Sequence, residues 1–355
     1  MRDPVLVTGG AGFVGSSLAV ALRQAYPGAR VVALDNLRRR GSELNLPRLA
    51  EAGVRFVHGD VRSPEDLTGI QPGLVVECSA EPSVLAGYGG SPEYLIRTNL
   101  MGCFHCLELA RRCRADFLFL STSRVYPVEA LNQLRFSENE TRYSLLREQA
   151  VPGASDRGVA EDFPLAGARS LYGMTKLAGE LMVEEYAAAY GLRAIVNRCG
   201  LLTGPWQMAR SDQGVMALWM GAHYFKSHLQ YIGFGGSGKQ VRDLLHIDDL
   251  AALVLDQIAH WERYREGPFN VGGGLDRSLS LAEATGLCRE ITGNAIAVTP
   301  SAEERPADVR IYVSDTRRVE AINGWRPRVG VRETLVSIFE WLHANEARLR
   351  PVFLW

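Results

Sequence analysis

Five short apolar runs set the rhythm of the first 125 residues. Residues 5–8, 30–34, 54–58, 74–78 and 117–121 are rich in Val and Leu and lack clean alternation, so each predicts a strand buried on both faces. Between them, residues 15–26 and 91–112 predict helices, with a short one at 64–68. Strands alternating with helices in this way predict a parallel sheet with right-handed crossovers and helices on both faces. A helix over 172–190 follows, and then strands at 193–198 and 268–271. The expected class is α/β, a Rossmann-type doubly wound parallel sheet.

The rhythm breaks over residues 203–240, which are rich in Gly, Trp, Tyr and His. A helix resumes at 246–258, residues 294–325 are mixed, and 331–345 predict an amphipathic closing helix. No low-complexity linker or internal repeat interrupts the chain. A smaller, mixed α/β substrate domain is therefore expected to be interleaved with the sheet domain. Residues 1–200, with 241–272, are assigned to the cofactor domain, and 201–240 with 273–355 to the substrate domain.

Composition adds limits. The 355 residues suffice for one large α/β unit or two domains with substantial cores. A formal net charge of −1, with 22% charged residues, gives no electrostatic reason to expect nucleic-acid or membrane-surface binding. Met1-Arg2-Asp3-Pro4 runs directly into Val5-Leu6-Val7 with no leader pattern, and no stretch of apolar residues is long enough to span a bilayer. A cytoplasmic protein is expected. Six cysteines are scattered, and Cys103-Phe104-His105-Cys106 has no second pair downstream to complete a zinc site. Buried or helix-surface thiols and no metal are the expectation.

Candidate chemistry begins at Thr8-Gly9-Gly10-Ala11-Gly12-Phe13-Val14-Gly15, between the first strand and the first helix. Glycines there permit a tight turn and let the backbone approach a pyrophosphate, which the helix N-terminus attracts. Gly9, Gly12, Phe13, Val14 and Gly15 are accordingly candidate cofactor contacts. Asp35, followed by Asn36, ends the second strand about twenty residues further on. Its carboxylate suits ribose hydroxyls and repels a 2′-phosphate, which favours NAD, although Arg38, Arg39 and Arg40 follow in the next loop. Asp60, before Val61, is either an adenine contact or a helix cap. A second glycine string, Gly233-Phe234-Gly235-Gly236-Ser237-Gly238-Lys239, has P-loop spacing, but Gln240 stands where magnesium needs Ser or Thr, so it is dismissed.

Tyr172 and Lys176 lie four apart in Leu171-Tyr172-Gly173-Met174-Thr175-Lys176, so they share one face of the helix over 172–190. An ammonium beside a phenol favours phenolate and makes an acid/base device. Strand five ends in Ser121-Thr122-Ser123-Arg124-Val125-Tyr126, with its hydroxyls at the strand end where ligands bind in such sheets.

Taken in order, the glycine loop, the ribose acid, the strand-five hydroxyl and Tyr-x-x-x-Lys resemble the extended short-chain dehydrogenase/reductase superfamily of nucleotide-sugar epimerases and dehydratases, over essentially the whole chain. The resemblance implies Thr122, Tyr172 and Lys176 as the catalytic group. It also implies bound NAD, with Asp60, Val61, Ala80, Asn99 and Ser121 among its contacts, as well as Tyr172 and Lys176 themselves. The 4,6-dehydratases carry Asp-Glu after the catalytic Thr. Here Ser123-Arg124 stand there, which argues against dehydration and makes the pair substrate contacts. Arg242 and Arg305 match arginines that hold a substrate diphosphate, and Asp308 a residue near the nucleotide ribose. Two arginine forks from separate segments suit a pyrophosphate.

Glu140-Thr141-Arg142-Tyr143, Ser211-Asp212-Gln213-Gly214, 238–246 and Phe269-Asn270-Val271-Gly272-Gly273 together resemble the CDP-tyvelose (CDP-paratose) 2-epimerase group, with Gln213 a further substrate contact. Cys199-Gly200-Leu201, Trp206 and the loop Glu81-Pro82-Ser83-Val84-Leu85-Ala86-Gly87-Tyr88 depart from the relatives. The expected partner is a nucleotide-diphosphate sugar. The resemblance also implies a homodimer or homotetramer paired through 91–112 and 172–190. A UDP-sugar 4-epimerase, a net NAD(P)H-dependent reductase and a non-catalytic NAD-binding regulator are the rival readings.

Overall fold

The computed structural model describes residues 2–210 and 212–354. The chain divides into two compact units. The first contains 1–125, 171–198 and 250–269, and the second 126–170, 199–249 and 270–355.

The first unit is built on a seven-stranded sheet. Its strands are β1 (Val5–Thr8), β2 (Val31–Asp35), β3 (Arg55–His58), β4 (Leu74–Glu77), β5 (Asp116–Thr122), β6 (Ala194–Cys199) and β7 (Phe269–Val271), in the order β7-β6-β5-β4-β1-β2-β3. β1 pairs in parallel with β2 and β4, as do β2 with β3 and β4 with β5. Every residue of β1, β4 and β5 is buried, so these strands carry no polar alternation. The doubly wound sheet is thus as the apolar runs predict.

Helices α1 (Phe13–Ala25), α2 (Gly102–Cys113) and α3 (Leu171–Tyr190) belong to this unit. The helix expected over 91–112 is interrupted, because Ile96–Met101 winds as a π-helix before α2. Such a turn shifts the side-chain register and is frequent at functional sites. Its Asn99 is buried, donates to the Glu81 carbonyl and to Thr175 Oγ1, and accepts from the Glu81 N–H.

The second unit holds a four-stranded mixed sheet. Val241–His246 pairs in parallel with Leu201–Thr203 and Ile311–Tyr312, and antiparallel with Ser278–Ser280. Its helices include Val215–Tyr224, Leu281–Thr292 and Val331–Ala344. Residues 126–170 pack here, not with the sheet domain assigned to them above. Tyr126 donates to Asn270 Oδ1, and Val159 and Asp315 form the ladder Val159 N–H to Val313 O and Asp315 N–H to Val159 O.

Among the elements without a counterpart in the sequence pattern are two helices of the second unit. Val215–Tyr224 buries seven of its ten residues, so it shows no polar face for a helical period to reveal. Leu281–Thr292 carried a readable start signal, Ser280-Leu281-Ala282-Glu283. Ser280 Oγ accepts from the Glu283 N–H while the Glu283 carboxylate accepts from the Ser280 N–H.

Candidate active site

At the cofactor end of the first unit, the glycine loop is fitted to bare backbone. Gly9 adopts φ +61°, and a Cβ there would lie 2.9 Å from the Cys78 carbonyl oxygen. A Cβ on Gly15 would press into the Gly9 carbonyl group, well inside van der Waals contact. No side chain caps α1, whose N-cap is Gly12 and whose first turn has no acid. Its first N–H groups and its positive dipole end are therefore offered to a ligand instead of a cap. Phe13 and Val14 open this turn, half-buried.

Asp35 closes β2 and accepts from the Ala11 N–H (3.1 Å) and the Leu37 N–H (2.8 Å). Burial pushes its pKa above the ordinary value, with the backbone donors opposing. Asn36 donates to Asp60 Oδ2 at 2.8 Å, and Asp60 takes the Arg62 guanidinium in a two-pronged pair. The cap reading of Asp60 does not hold: its Oδ1 accepts the Arg62 N–H in a local turn, and the next helical turn starts at Pro64 after Ser63. Arg38 lies over the Tyr94 ring at 4.0 Å, and Arg62 over the same ring at 4.8 Å. Both guanidinium groups have partners within the unit, which supports a ribose on Asp35 over a 2′-phosphate. The uncapped α1, the glycine loop and this carboxylate together fit NAD.

The residues expected to be catalytic lie on two elements of the same unit. Thr122 ends β5, buried, and its Oγ1 accepts from the Arg124 N–H at 3.2 Å. Ser123 and Arg124 follow in a short 3-10 turn, and α3 packs on both β5 and that turn. Tyr172 sits half-buried in the first turn of α3, and Lys176 is fully inside, 3% exposed. Tyr172 acts on the Lys176 charge, so the two are electrostatic neighbours, as their spacing requires.

One turn further along the same face comes Glu180. Its carboxylate accepts the Ser121 hydroxyl at 2.5 Å, and Arg198 Nε and Nη2 at 3.1 and 2.8 Å. All three are buried. The Ser121 hydroxyl is therefore committed to Glu180. At the position before Arg198, the Asn197 amide exchanges two 2.8 Å hydrogen bonds with that of Gln257. Lys176 in turn meets the Glu77 carboxylate of β4 at 3.5 Å, with Glu77 1% exposed. Glu77, Glu180 and Arg198 were not singled out in the sequence. The available signal was a charge at a position that the apolar pattern buries.

Val61 is buried, and its carbonyl meets His105 Nδ1 at 2.8 Å. Ala80 lies between Ser79, which donates to Glu77, and Glu81, which Asn99 clamps. Cys103 and Cys106 are free thiols buried on α2, and burial pushes both pKa values well up. They have no thiolate character to offer.

In the second unit, Arg242 and Asp308 are brought together at 3.1 Å. Arg242 also donates to the Val241 and Val309 carbonyls, both at 2.7 Å. The Asp308 N–H reaches the Arg305 carbonyl at 3.2 Å. Gln213 pairs backbone to backbone with Arg210, while Ser211 of the same string lies outside the described residues. The dismissed glycine string forms a turn at Phe234–Gly236.

The sequence profile of the NAD dependent epimerase/dehydratase family matches residues 5–272. A CDP-paratose 2-epimerase from Salmonella typhi is 30% identical over 351 residues, 95% of this chain and 98% of its own length. A dTDP-glucose 4,6-dehydratase from Streptomyces niveus is 29% identical, over 98% of this chain and 95% of its own. Among solved structures, the Thermus thermophilus UDP-glucose 4-epimerase in complex with NAD aligns with a TM-score of 0.75 at 26% identity, covering 96% of this chain and 98% of that one.

Proposed function

The chain belongs to the NAD dependent epimerase/dehydratase family, and from that premise we propose an epimerase that inverts C2 of a CDP-hexose of the paratose/tyvelose type. The observation that carries an epimerase reading is the catalytic group of the first unit. Tyr172 and Lys176 stand one turn apart on α3, which packs on the strand ending in Thr122. The CDP-paratose 2-epimerase relative supports the nucleotide and the carbon. Ser123-Arg124 after Thr122, without an acid pair, speaks against elimination of water.

In this mechanism Tyr172, as phenolate, takes the proton of a sugar hydroxyl, and later returns one to the same oxygen. The Lys176 ammonium favours the phenolate by its charge. Thr122 hydrogen-bonds to the reacting oxygen and orients it. The loop of Gly9, Gly12 and Gly15 and the Asp35 carboxylate would hold NAD, which would supply a hydride acceptor able to return the hydride. Arg242 and Arg305 are the arginines that this reading gives to the substrate diphosphate.

The test is incubation with a panel of CDP-, UDP- and GDP-sugars, with NMR reading which carbon inverts. Inversion at C2 of the CDP-hexose, with deuterium on that carbon retained, is the expected result. Inversion at C4 of a UDP-sugar, or consumption of added NAD(P)H, would replace the reading with a 4-epimerase or a reductase. Tyr172→Phe should lower kcat by about 10²–10⁴-fold while bound NAD stays in place.

A further inference from the structure

Lys176 is an ammonium with almost no access to water, and a buried ammonium is costly unless it is paired. Its partner comes from a different element. Glu77 is the last residue of β4, buried among apolar neighbours, and its Oε2 lies 3.5 Å from Lys176 Nζ. Glu77 Oε1 accepts the Ser79 hydroxyl, which fixes the carboxylate from the loop side. The Lys176 ammonium also sits 4.6 Å from the centre of the ring of Phe119, the residue of β5 paired with Glu77, a further contact that favours the cation.

We propose that Glu77 is a positioning residue of the catalytic group, the fixed counter-charge that keeps Lys176 cationic and holds it in register with Tyr172. The inference rests on the reading of Tyr172 and Lys176 as the proton-transferring pair. The groups that face Lys176 are Glu77 from β4, Cys78 just beyond it, Cys103 from α2 and Tyr172 from the preceding turn of α3. Cys106 of α2 also feels the Lys176 charge. Burial, the largest single influence, works to strip Lys176 of its proton; Glu77 is the strongest of the groups that oppose it, and with Tyr172, Cys103 and Cys78 it leaves the pKa above the ordinary ammonium value. Among these neighbours, Glu77 contributes the largest opposing charge, and the cysteines are buried thiols whose own pKa values burial pushes up.

A buried ion pair is a poor way to gain stability, since apolar residues of similar volume do as well or better. An apolar β4 end would serve the core equally. A charged end is needed once the helix must carry a lysine at this depth, and the pair then pins α3 against β4. Glu180 repeats the device one turn later, against Ser121 of β5 and Arg198 of β6. The helix face of residues 172, 176 and 180 is thereby anchored to three adjacent strands.

The chain has three lysines, Lys176, Lys226 and Lys239, so lysine labelled with ¹³C at Cε yields a spectrum that Lys176→Met assigns at once. Titration of the cofactor-free protein then reads the ammonium directly. In the wild type, the Lys176 signal should remain that of an ammonium through neutral pH. In Glu77→Gln its midpoint should fall by about two pH units or more. In Glu77→Asp, where the carboxylate is withdrawn by one methylene, the fall should be smaller but measurable. The acid limb of kcat against pH should move to higher pH in Glu77→Gln, because the phenolate loses its cation. An unmoved Lys176 midpoint in Glu77→Gln overturns the proposal. If that variant does not fold, an unmoved midpoint in Glu77→Asp does so. The resonance needs no substrate, so a wrong choice of sugar nucleotide leaves this arm intact and is exposed by turnover alone.

Discussion

Arg242 and Asp308, sixty-six residues apart in the chain, meet at 3.1 Å in the second unit. The guanidinium is further held by the Val241 and Val309 carbonyls, so its fork is set before any substrate arrives. With Arg242 in its proposed role on the diphosphate, its removal should weaken binding more than chemistry. Arg242→Ala should raise KM for the nucleotide sugar by about 10–100-fold with kcat changed by less than about threefold. Asp308→Ala should raise KM less, and the double variant should cost less than the sum. Steady-state kinetics of the four proteins checks this. Strict additivity would mean that the pairing does not act on substrate binding.

Glu180 binds Arg198 inside the first unit, with side chains 8% and 4% exposed. Glu180→Ala leaves a buried guanidinium without its carboxylate and should cost about 3–5 kcal/mol. Glu180→Ala with Arg198→Met, which buries no charge, should recover much of that loss. Urea unfolding of the three proteins measures both. A single-variant cost under about 1 kcal/mol would show that Arg198 finds another partner.

Asp60 carries a pH signature. Burial works to raise its carboxyl, but Arg62 and Asn36 outweigh it and hold it down at about 2, below the ordinary 3.8. A depressed acid contributes stability that is present above 3.8 and is lost as pH falls toward 2. Asp60→Asn should therefore be less stable than the wild type by about 1–2 kcal/mol near neutral pH. The gap should close between pH 3.8 and 2. Denaturant midpoints measured across that range decide the matter, and a gap that stays constant sinks the assignment.

Gly15 packs its Cα against the Gly9 carbonyl group. Gly15→Ala drives a methyl into backbone that cannot yield, which reshapes the loop that offers the α1 N-terminus. The variant should purify with much less bound NAD and melt at a lower temperature than the wild type. Cofactor content by absorbance and thermal unfolding check the two effects. Normal NAD content would mean that the loop tolerates a side chain there.

Much of the first unit was legible because its chemistry is local. A parallel strand buried on both faces reads as an apolar run, and a glycine loop between strand and helix reads as a phosphate cradle. Tyr172 and Lys176 share a face by helical geometry alone. The helix Val215–Tyr224 was not legible, since a helix buried all round has no polar stripe. The assignment of 126–170 failed differently, for its partners Asn270, Val313 and Asp315 lie far along the chain.

By itself, then, the sequence determined the sheet and the cofactor loop, which follow from periodicity and from spacings of a few residues, and through a family resemblance it offered Thr122, Tyr172 and Lys176 as the proposed catalytic group. Only the tertiary structure decided that Lys176 answers to Glu77, Glu180 to Arg198, and Arg242 to Asp308, across separations of 99, 18 and 66 residues. Charge pairing depends on distance in space, and a buried charge leaves in the sequence only an apolar run with one residue out of character.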